Sequence, residues 1–383
     1  MTQKLYDNDS HATEFDAVVL ACEKIGDVYK TELDRTLFFP EEGGQCSDRG
    51  HIDGVEIIGA ELCGDTIYHI SHEPLEAGKM VHGSIDFALR FRNMQNHSGE
   101  HIICGIAHRL YGYKNVGFHL GEKVVTMDLS GELDQEQIKK VELLANEAVA
   151  KNMSVTACYP SADELDSMDF RAKGNIEGAV RVVTIGDVDA CACCAPHVKH
   201  TGEIGIIKIT DAMRHRGGMR LTILCGFDAL RDYDQKCEAA RTVSNLLSVP
   251  QNEIAQGVQA LLDEVNHLRA ELSQKDKKLS ELVAASADDC SGNICLFYPD
   301  ADGESLRRMA NILKAKTPRL ALALSGDDER GYTYVMAMQS GEIAPFSKDA
   351  NSALNGRGGG KGTMASGRFA CSREKIEKYF DII

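Results

Sequence analysis

Apolar residues change their spacing several times along this chain, and each change marks a different kind of element. From the N-terminus to about residue 90, short β-leaning runs (AVVLAC, TLFFP, VEIIGA, TIYHIS, MVHGSID) alternate with turns rich in Gly, Asp and Glu. That spacing predicts a small β-barrel or sandwich. A helical period then carries HSGEHIICGIAHRL, followed by strands in VGFHLG and VVTMDLS and a helix over about residues 134–151. Further strands in SVTACYP, AVRVVTIG, GIIKIT and RLTILCG complete a middle region that reads as α+β.

Between about residues 227 and 285 the period is wholly helical. Ile254, Val258, Leu261, Val265, Leu268, Leu272, Leu279 and Leu282 follow the alternation of a heptad seam, broken only at Lys275. Leu230, Tyr233, Cys237, Ala240 and Leu247 continue it upstream, with Ser244 the polar interruption and Pro250 separating the two halves. Two seams joined by so short a break predict an antiparallel coiled-coil hairpin, and a seam left uncovered would recruit a second chain instead.

The last stretch predicts a strand in NICLFYPD, a helix over about 305–316, strands in RLALALSG and YTYVMAMQ, a glycine-rich NGRGGGKGTMASGRF and a terminal helix in SREKIEKYF. The fold class expected is therefore α+β. It comprises a β-barrel subdomain over 1–90, an α+β domain over 91–226, a helical hairpin over 227–287 and a C-terminal α/β domain over 288–383.

Composition narrows the function classes. No run of about eighteen apolar residues exists to span a bilayer, and MTQKLYDNDSHATEF lacks the order of a signal peptide, so a cytoplasmic protein is expected. The 13 cysteines are odd in number and scattered, which favours reduced thiols over a disulfide scaffold. Only Cys191, Cys193 and Cys194 cluster densely enough to suggest metal chemistry. Lys and Arg total 42 against 58 Asp and Glu, a net charge of −16, so any RNA contact must be local. Local basic groups occur at Arg214, Arg216 and Arg220 and, within and after the glycine-rich run, at Arg357, Lys361 and Arg368. That run fails the P-loop pattern at Asn355 and Gly362, and reads instead as a basic loop for a nucleic-acid backbone.

The chemistry concentrates in two short segments. In HSGEH, His97 and His101 are one helical turn apart and share a face, as two ligands of one metal must. In CACCAPH, Cys193 and His197 repeat that spacing. The four together make a three-nitrogen, one-sulfur set suited to Zn2+ rather than to magnesium or calcium. Cys191 and Cys194 compete for the thiolate place, and Asp187 or Asp189 would hydrogen-bond a ligand histidine from behind. Glu100 makes the first segment an H-x-x-E-H match, so a zinc metalloprotease is one reading, as is a structural zinc in a non-catalytic tRNA-binding module. A third motif, PEEGGQCSDRG, places Gln45 and Asp48 on a turn that Gly43 and Gly44 make conformationally free.

Taken together, HSGEH, CCAPH with its following VKHTGEIGIIKI, FFPEEGGQCSDRG, NVGFHLGEKVVTMDL and RHRGGMRLTILCG resemble the editing half of alanyl-tRNA synthetases, and most closely the free-standing AlaX-type editing proteins. The hairpin and NGRGGGKGTMASGRF resemble the helical linker and DHH-associated (C-Ala-like) domain that end those synthetases. The resemblance implies a zinc-dependent hydrolase, without an aminoacylation domain, that deacylates mischarged tRNA for alanine carrying serine or glycine. It also implies zinc on His97, His101, Cys193 and His197, with Gln45 and Ser98 beside the amino-acid hydroxyl and Glu100 or His119 moving protons. Partners expected are aminoacylated tRNA and a second copy of the chain through its C-terminal half. Two departures from the usual family pattern fall next to the metal: Cys194, Ala195 and Pro196 between the ligands, and Glu100 itself.

Overall fold

The computed structural model describes residues 1–121, 124–172 and 179–382. The chain divides into two compact units, Met1–Ala240 and Arg241–Ile383. The first begins with β1 (Gln3–Lys4), β2 (Glu14–Ile25), β3 (Val28–Leu33), β4 (Arg35–Thr36), β5 (Gly50–Ile52), β6 (Val55–Cys63), β7 (Thr66–Ser71) and β8 (Met80–Ile85). Six of these close in the order β2-β3-β7-β6-β5-β8, while β1 and β4 form a separate parallel pair. Alternation drives the closure: Phe15, Ala17 and Val19 of β2 point inward between exposed Glu14 and Asp16, so one face of each strand is hidden.

Within the same unit α1 (Phe87–Tyr111), β9 (Asn115–Leu120), β10 (Val125–Leu129), α2 (Gln135–Ala150), β11 (Val155–Cys158), α3 (Ala162–Ser167), β12 (Val182–Ile185), β13 (Asp189–Ala192), β14 (Ile207–His215) and β15 (Gly218–Cys225) follow. They make a four-stranded antiparallel sheet ordered β14-β15-β10-β9 and a three-stranded one ordered β11-β12-β13. Helix α1 starts where the Asp86 carboxylate accepts from Leu89 N and ends at Gly112, whose φ of 71° ordinary side chains avoid. Its middle is buried from Asn93 to Ala107, so the histidine-bearing turns lie inside the unit.

The remaining elements are α4 (Phe227–Leu247), α5 (Ile254–Ala285), β16 (Ile294–Phe297), α6 (Gly303–Leu313), β17 (Ala321–Asp327), β18 (Gly331–Ala337), α7 (Ala344–Ala353), β19 (Gly356–Lys361), β20 (Met364–Phe369) and α8 (Arg373–Tyr379). The five strands form one sheet ordered β16-β17-β18-β20-β19. Among the described residues no helix is long and apolar enough to cross a membrane.

The expected fold class needs correcting in three respects. No coiled coil forms: Leu261, Leu268, Leu272, Leu279 and Leu282 are each 49 % or more exposed, as are Leu230 and Tyr233 in the upstream half. A heptad pattern states that a face is apolar and says nothing of what covers it. The C-terminal domain is not α/β, because only β16 and β17 run parallel and every other neighbour in its sheet is antiparallel. The whole is an α+β protein of several separate sheets. Finally, TLFFP is not a strand of the ring: only Arg35–Thr36 pairs, and Leu37, Phe38 and Phe39 in succession are all at most 1 % exposed. A strand turns successive side chains to opposite faces, whereas this segment buries every one of them.

Candidate metal centre

His97 and His101 project from one face of α1, their ring centroids 5.3 Å apart. The turn after β13 brings His197 to 4.8 Å from His97 and 4.6 Å from His101. Cys193 completes the group, in which one ligand atom from each of the four residues lies within 4.8 Å of every other. The Cys193 Sγ is 3.6 Å from His97 Nε2 and 3.4 Å from His197 Nε2. A tetrahedral zinc with bonds of about 2.05 Å to nitrogen and about 2.3 Å to sulfur has N···S edges of about 3.6 Å, so these spacings fit that ion.

Each imidazole is also turned the right way. His97 Nδ1 meets Gln45 Oε1 at 2.8 Å, His101 Nδ1 meets Asp189 Oδ2 at 3.1 Å, and His197 Nδ1 meets Ser98 Oγ at 2.9 Å. With Nδ1–H donated to an oxygen in all three cases, every Nε2 carries a lone pair facing the shared centre. The donor set therefore suits a borderline metal, and the clusters of His, Cys and Asp can hold one.

Charge agrees with geometry. Burial works against a thiolate at Cys193, but His97, His197 and the hydrogen bonds from His101 and His197 outweigh it and hold the thiol well below its ordinary range. Burial pulls His197 down to about 3, so it is a neutral donor. His101 is burdened by the same burial, yet its bonds to Asp189 and Cys193 raise it well above a free imidazole. The site thus gathers a thiolate and a carboxylate in a buried place, a negative charge that a divalent cation would balance.

The local sequence explains the arrangement. A Cβ on Gly105 would lie 2.4 Å from the Val188 carbonyl and 2.8 Å from Asp189 Cβ, so this glycine lets the start of β13 press against α1 and bring Asp189 to His101. Asp189 is held in turn by Arg171, at 2.6 and 2.7 Å. On the other side Gly44 takes φ 86°, and its carbonyl accepts from Leu120 N at 2.8 Å, which delivers Gln45 to His97. The loop is tied to α1 by a buried ion pair between Asp48 and Arg90, both 0 % exposed.

Cys191 and Cys194 lie outside the four-residue group. Cys191 joins His101 and Asp189 in an overlapping cluster, and Cys194 faces Gly43 of the glycine loop. Asp189 takes the supporting place, whereas Asp187 sits exposed on the preceding turn. Gln45 and Ser98, expected near the amino-acid hydroxyl, contact the imidazoles of the candidate metal group. Both are fully buried with their oxygens on these imidazoles, because residue 98 faces the turn that carries His197. Glu100 is buried, with Oε1 accepting from Cys104 Sγ at 3.2 Å and from Asn115 Nδ2, and Oε2 3.9 Å from His101 Nε2. His119 is exposed on β9 and turned away; its neighbour Phe118 packs on His97 with ring centroids 4.8 Å apart. Strand alternation separates the two, and no motif in the sequence singled out Phe118.

A cavity of about 390 Å³ opens over the centre, lined by His97, Glu100, His101 and Cys193 together with Glu42 and Arg181. A second, of about 960 Å³, shares Asn115, Arg171 and Cys191 with it. The basic residues divide into committed and free. Arg220 is held by Asp128 at 2.7 and 2.8 Å, and Arg214 by Glu132 at 2.8 Å, while Arg216 projects from a turn at φ 48°. In the other unit Arg357 and Arg368 stand directly opposite each other on β19 and β20, with exposed Lys361 at the end of the same hairpin.

Comparison with known proteins agrees with this site. The family described as "Threonyl and Alanyl tRNA synthetase second additional domain" matches residues 180–221, the segment that carries Cys193 and His197. Over 99 % of this chain and 96 % of the relative, it is 25 % identical to the alanyl-tRNA editing protein Aarsd1 of Rattus norvegicus. It is 28 % identical to the alanyl-tRNA editing protein AlaX-L of Pyrococcus horikoshii, over 100 % of this chain and 97 % of that one. An alanine–tRNA ligase of Pyrococcus furiosus is 30 % identical over 98 % of this chain but only 43 % of the ligase. The likeness to the editing proteins thus runs end to end on both sides, and this chain belongs to the family of alanyl-tRNA editing proteins.

Proposed function

We propose that this protein is a zinc-dependent trans-editing hydrolase that deacylates mischarged tRNA for alanine, with serine or glycine as the amino acid removed. The observation that carries the reading is the set His97, His101, Cys193 and His197, each imidazole turned by an Nδ1 partner so that its Nε2 faces one thiolate. When bound there, zinc would supply a Lewis acid to an ester that is already activated. Gln45, Ser98 and Asp189 orient the ligands. Glu100, whose Oε2 lies at the centre's edge, is placed to take a proton from the attacking water. His119 is left without a role by its outward direction.

For the nucleic acid, the facing pair Arg357 and Arg368 with Lys361 supports a phosphate-binding hairpin, and Arg216 stands exposed on a turn of the editing unit. The exposed apolar face of α5 supports a second copy as partner, which light scattering on the eluting protein would read. Location in the cytoplasm fits a tRNA substrate.

The deciding experiment incubates the protein with seryl-, glycyl- and alanyl-tRNA for alanine, with and without chelator and beside a Cys193→Ala variant. Loss of the seryl or glycyl ester that requires both metal and Cys193 is expected. Equal survival of every ester with and without protein would reject the reading.

A further inference from the structure

One carboxylate oxygen in the cavity over the metal centre has no hydrogen-bond partner among the described residues. Glu42 lines that cavity beside Gly43, and its Oε2 is shielded from solvent yet accepts no hydrogen bond. Its backbone is fixed by two reciprocal bonds with Gln45, of 3.2 and 3.0 Å, the same residue that orients His97. The loop is pressed against the Cys-rich turn, since a Cβ on Gly43 would lie 3.6 Å from Cys194 Sγ. Burial first, then the charges of Cys193 and Glu42 and a hydrogen bond to the Glu42 side chain, push the Cys194 thiol up, so that thiol is a donor to Glu42 while Oε2 is left without one.

Among the described residues no basic side chain pairs with this carboxylate oxygen. Arg181, in the same cavity, is committed to Asp7 at 3.2 Å and to the carbonyls of Cys193 and Ala195 at 3.0 and 2.8 Å. Lys4 also lines the cavity, and among the described residues it forms no ion pair with Glu42. A shielded carboxylate oxygen without a donor is costly to keep, and the cost is recovered when a bound group supplies a charged N–H. Water could supply a donor, but not the charge.

The substrate class supplies both. Every aminoacyl ester carries a free α-ammonium on the carbon next to the reacting carbonyl, whatever its side chain. We propose that Glu42 receives this α-ammonium, so that the protein recognises free aminoacyl esters and rejects N-blocked ones such as acetylaminoacyl or peptidyl esters. The assignment builds on the deacylase reading and adds a substrate-binding residue to it. Glu42 positions the ester and takes no part in bond making or breaking.

A binding experiment separates the two ideas. The probes are the non-hydrolysable 3′-seryl-amido analogue of adenosine with its α-amine free, and the same compound N-acetylated, titrated calorimetrically into zinc-loaded protein. The wild type should bind the free amine about 10–100-fold more tightly, the range for a charge-assisted hydrogen bond. Glu42→Gln should bind both compounds about as weakly as the wild type binds the acetylated one, and Glu42→Asp should keep a reduced preference. Equal wild-type affinity for the two probes, no binding of the free amine, or an undiminished preference in Glu42→Gln would each overturn the assignment. Failure of the deacylase reading would show separately, as survival of every ester in the tRNA assay.

Discussion

Replacing Asp189 by Asn tests the metal centre without touching a ligand. Asp189 accepts from His101 Nδ1 at 3.1 Å and from Arg171 through both oxygens, at 2.6 and 2.7 Å. Asparagine has one acceptor oxygen, and its amide would set N–H against N–H toward one of these donors. Losing the orienting carboxylate behind a ligand histidine typically weakens metal affinity about 10–100-fold, or about 1.4–2.7 kcal/mol. At saturating zinc the metal's contribution to stability follows RT ln([Zn]/Kd), so it shrinks by the same amount. For a unit of 240 residues, at about 2–4 °C per kcal/mol, the zinc-induced rise in Tm should fall by about 3–10 °C. The unpaired Arg171 adds a loss of about 1–3 kcal/mol with or without metal, and subtracting the two melts removes it. Competition against a chromophoric chelator gives the zinc Kd independently. An unchanged Kd together with an unchanged zinc-induced shift would refute the claim that Asp189 orients His101 as a ligand. Asp187→Asn, on the exposed turn, should change neither.

Three further outcomes are expected. Glu100→Gln should keep its zinc, read by elemental analysis, while deacylation falls about 10²-fold or more; an unchanged rate would assign Glu100 to holding Asn115 and Cys104 only. Gly44→Ala should lower stability by about 1–3 kcal/mol in denaturant melts, because the residue sits at φ 86° and the new Cβ would meet the Phe118 carbonyl at 2.4 Å. His69, fully buried in the ring of strands between Thr36 and Thr31, is pulled down to about 4 by burial, against a small raising by the Thr31 carbonyl. The unfolded chain takes up that proton near pH 6.5 and the folded one only near pH 4. Stability is therefore complete above about 6.5 and falls toward pH 4, by about 3 kcal/mol, and His69→Gln should remove that part of the slope.

The four residues that the fold gathers into a candidate metal group were legible because a metal site imposes residue types and a helical interval that survive in one dimension: His97 with His101, and Cys193 with His197, each four apart. What supports them was not. Gln45 and Ser98 drew notice as polar groups near the motifs, but whether such a group faces a cavity or the back of an imidazole depends on how α1 is rotated against β13 and the glycine loop. Choosing Asp189 over Asp187 likewise required the close approach that Gly105 permits. His119 and Phe118 are adjacent in sequence and opposite in direction.

At the scale of the fold the division is similar. Local periodicity by itself indicated most helices and strands, though not α3, α7 or the irregular course of TLFFP, and that α4 and α5 each carry an apolar stripe. It also determined that the chain has the residues of a thiolate and imidazole metal site. Only the tertiary structure decided that the leucines of those stripes stay largely exposed, and that the C-terminal sheet is mostly antiparallel. It alone decided that Glu42 meets the metal cavity with an oxygen that no group among the described residues answers. The physical reason is that period and residue type are properties of neighbours along the chain, whereas coverage, strand direction and hydrogen-bond satisfaction depend on partners many residues away.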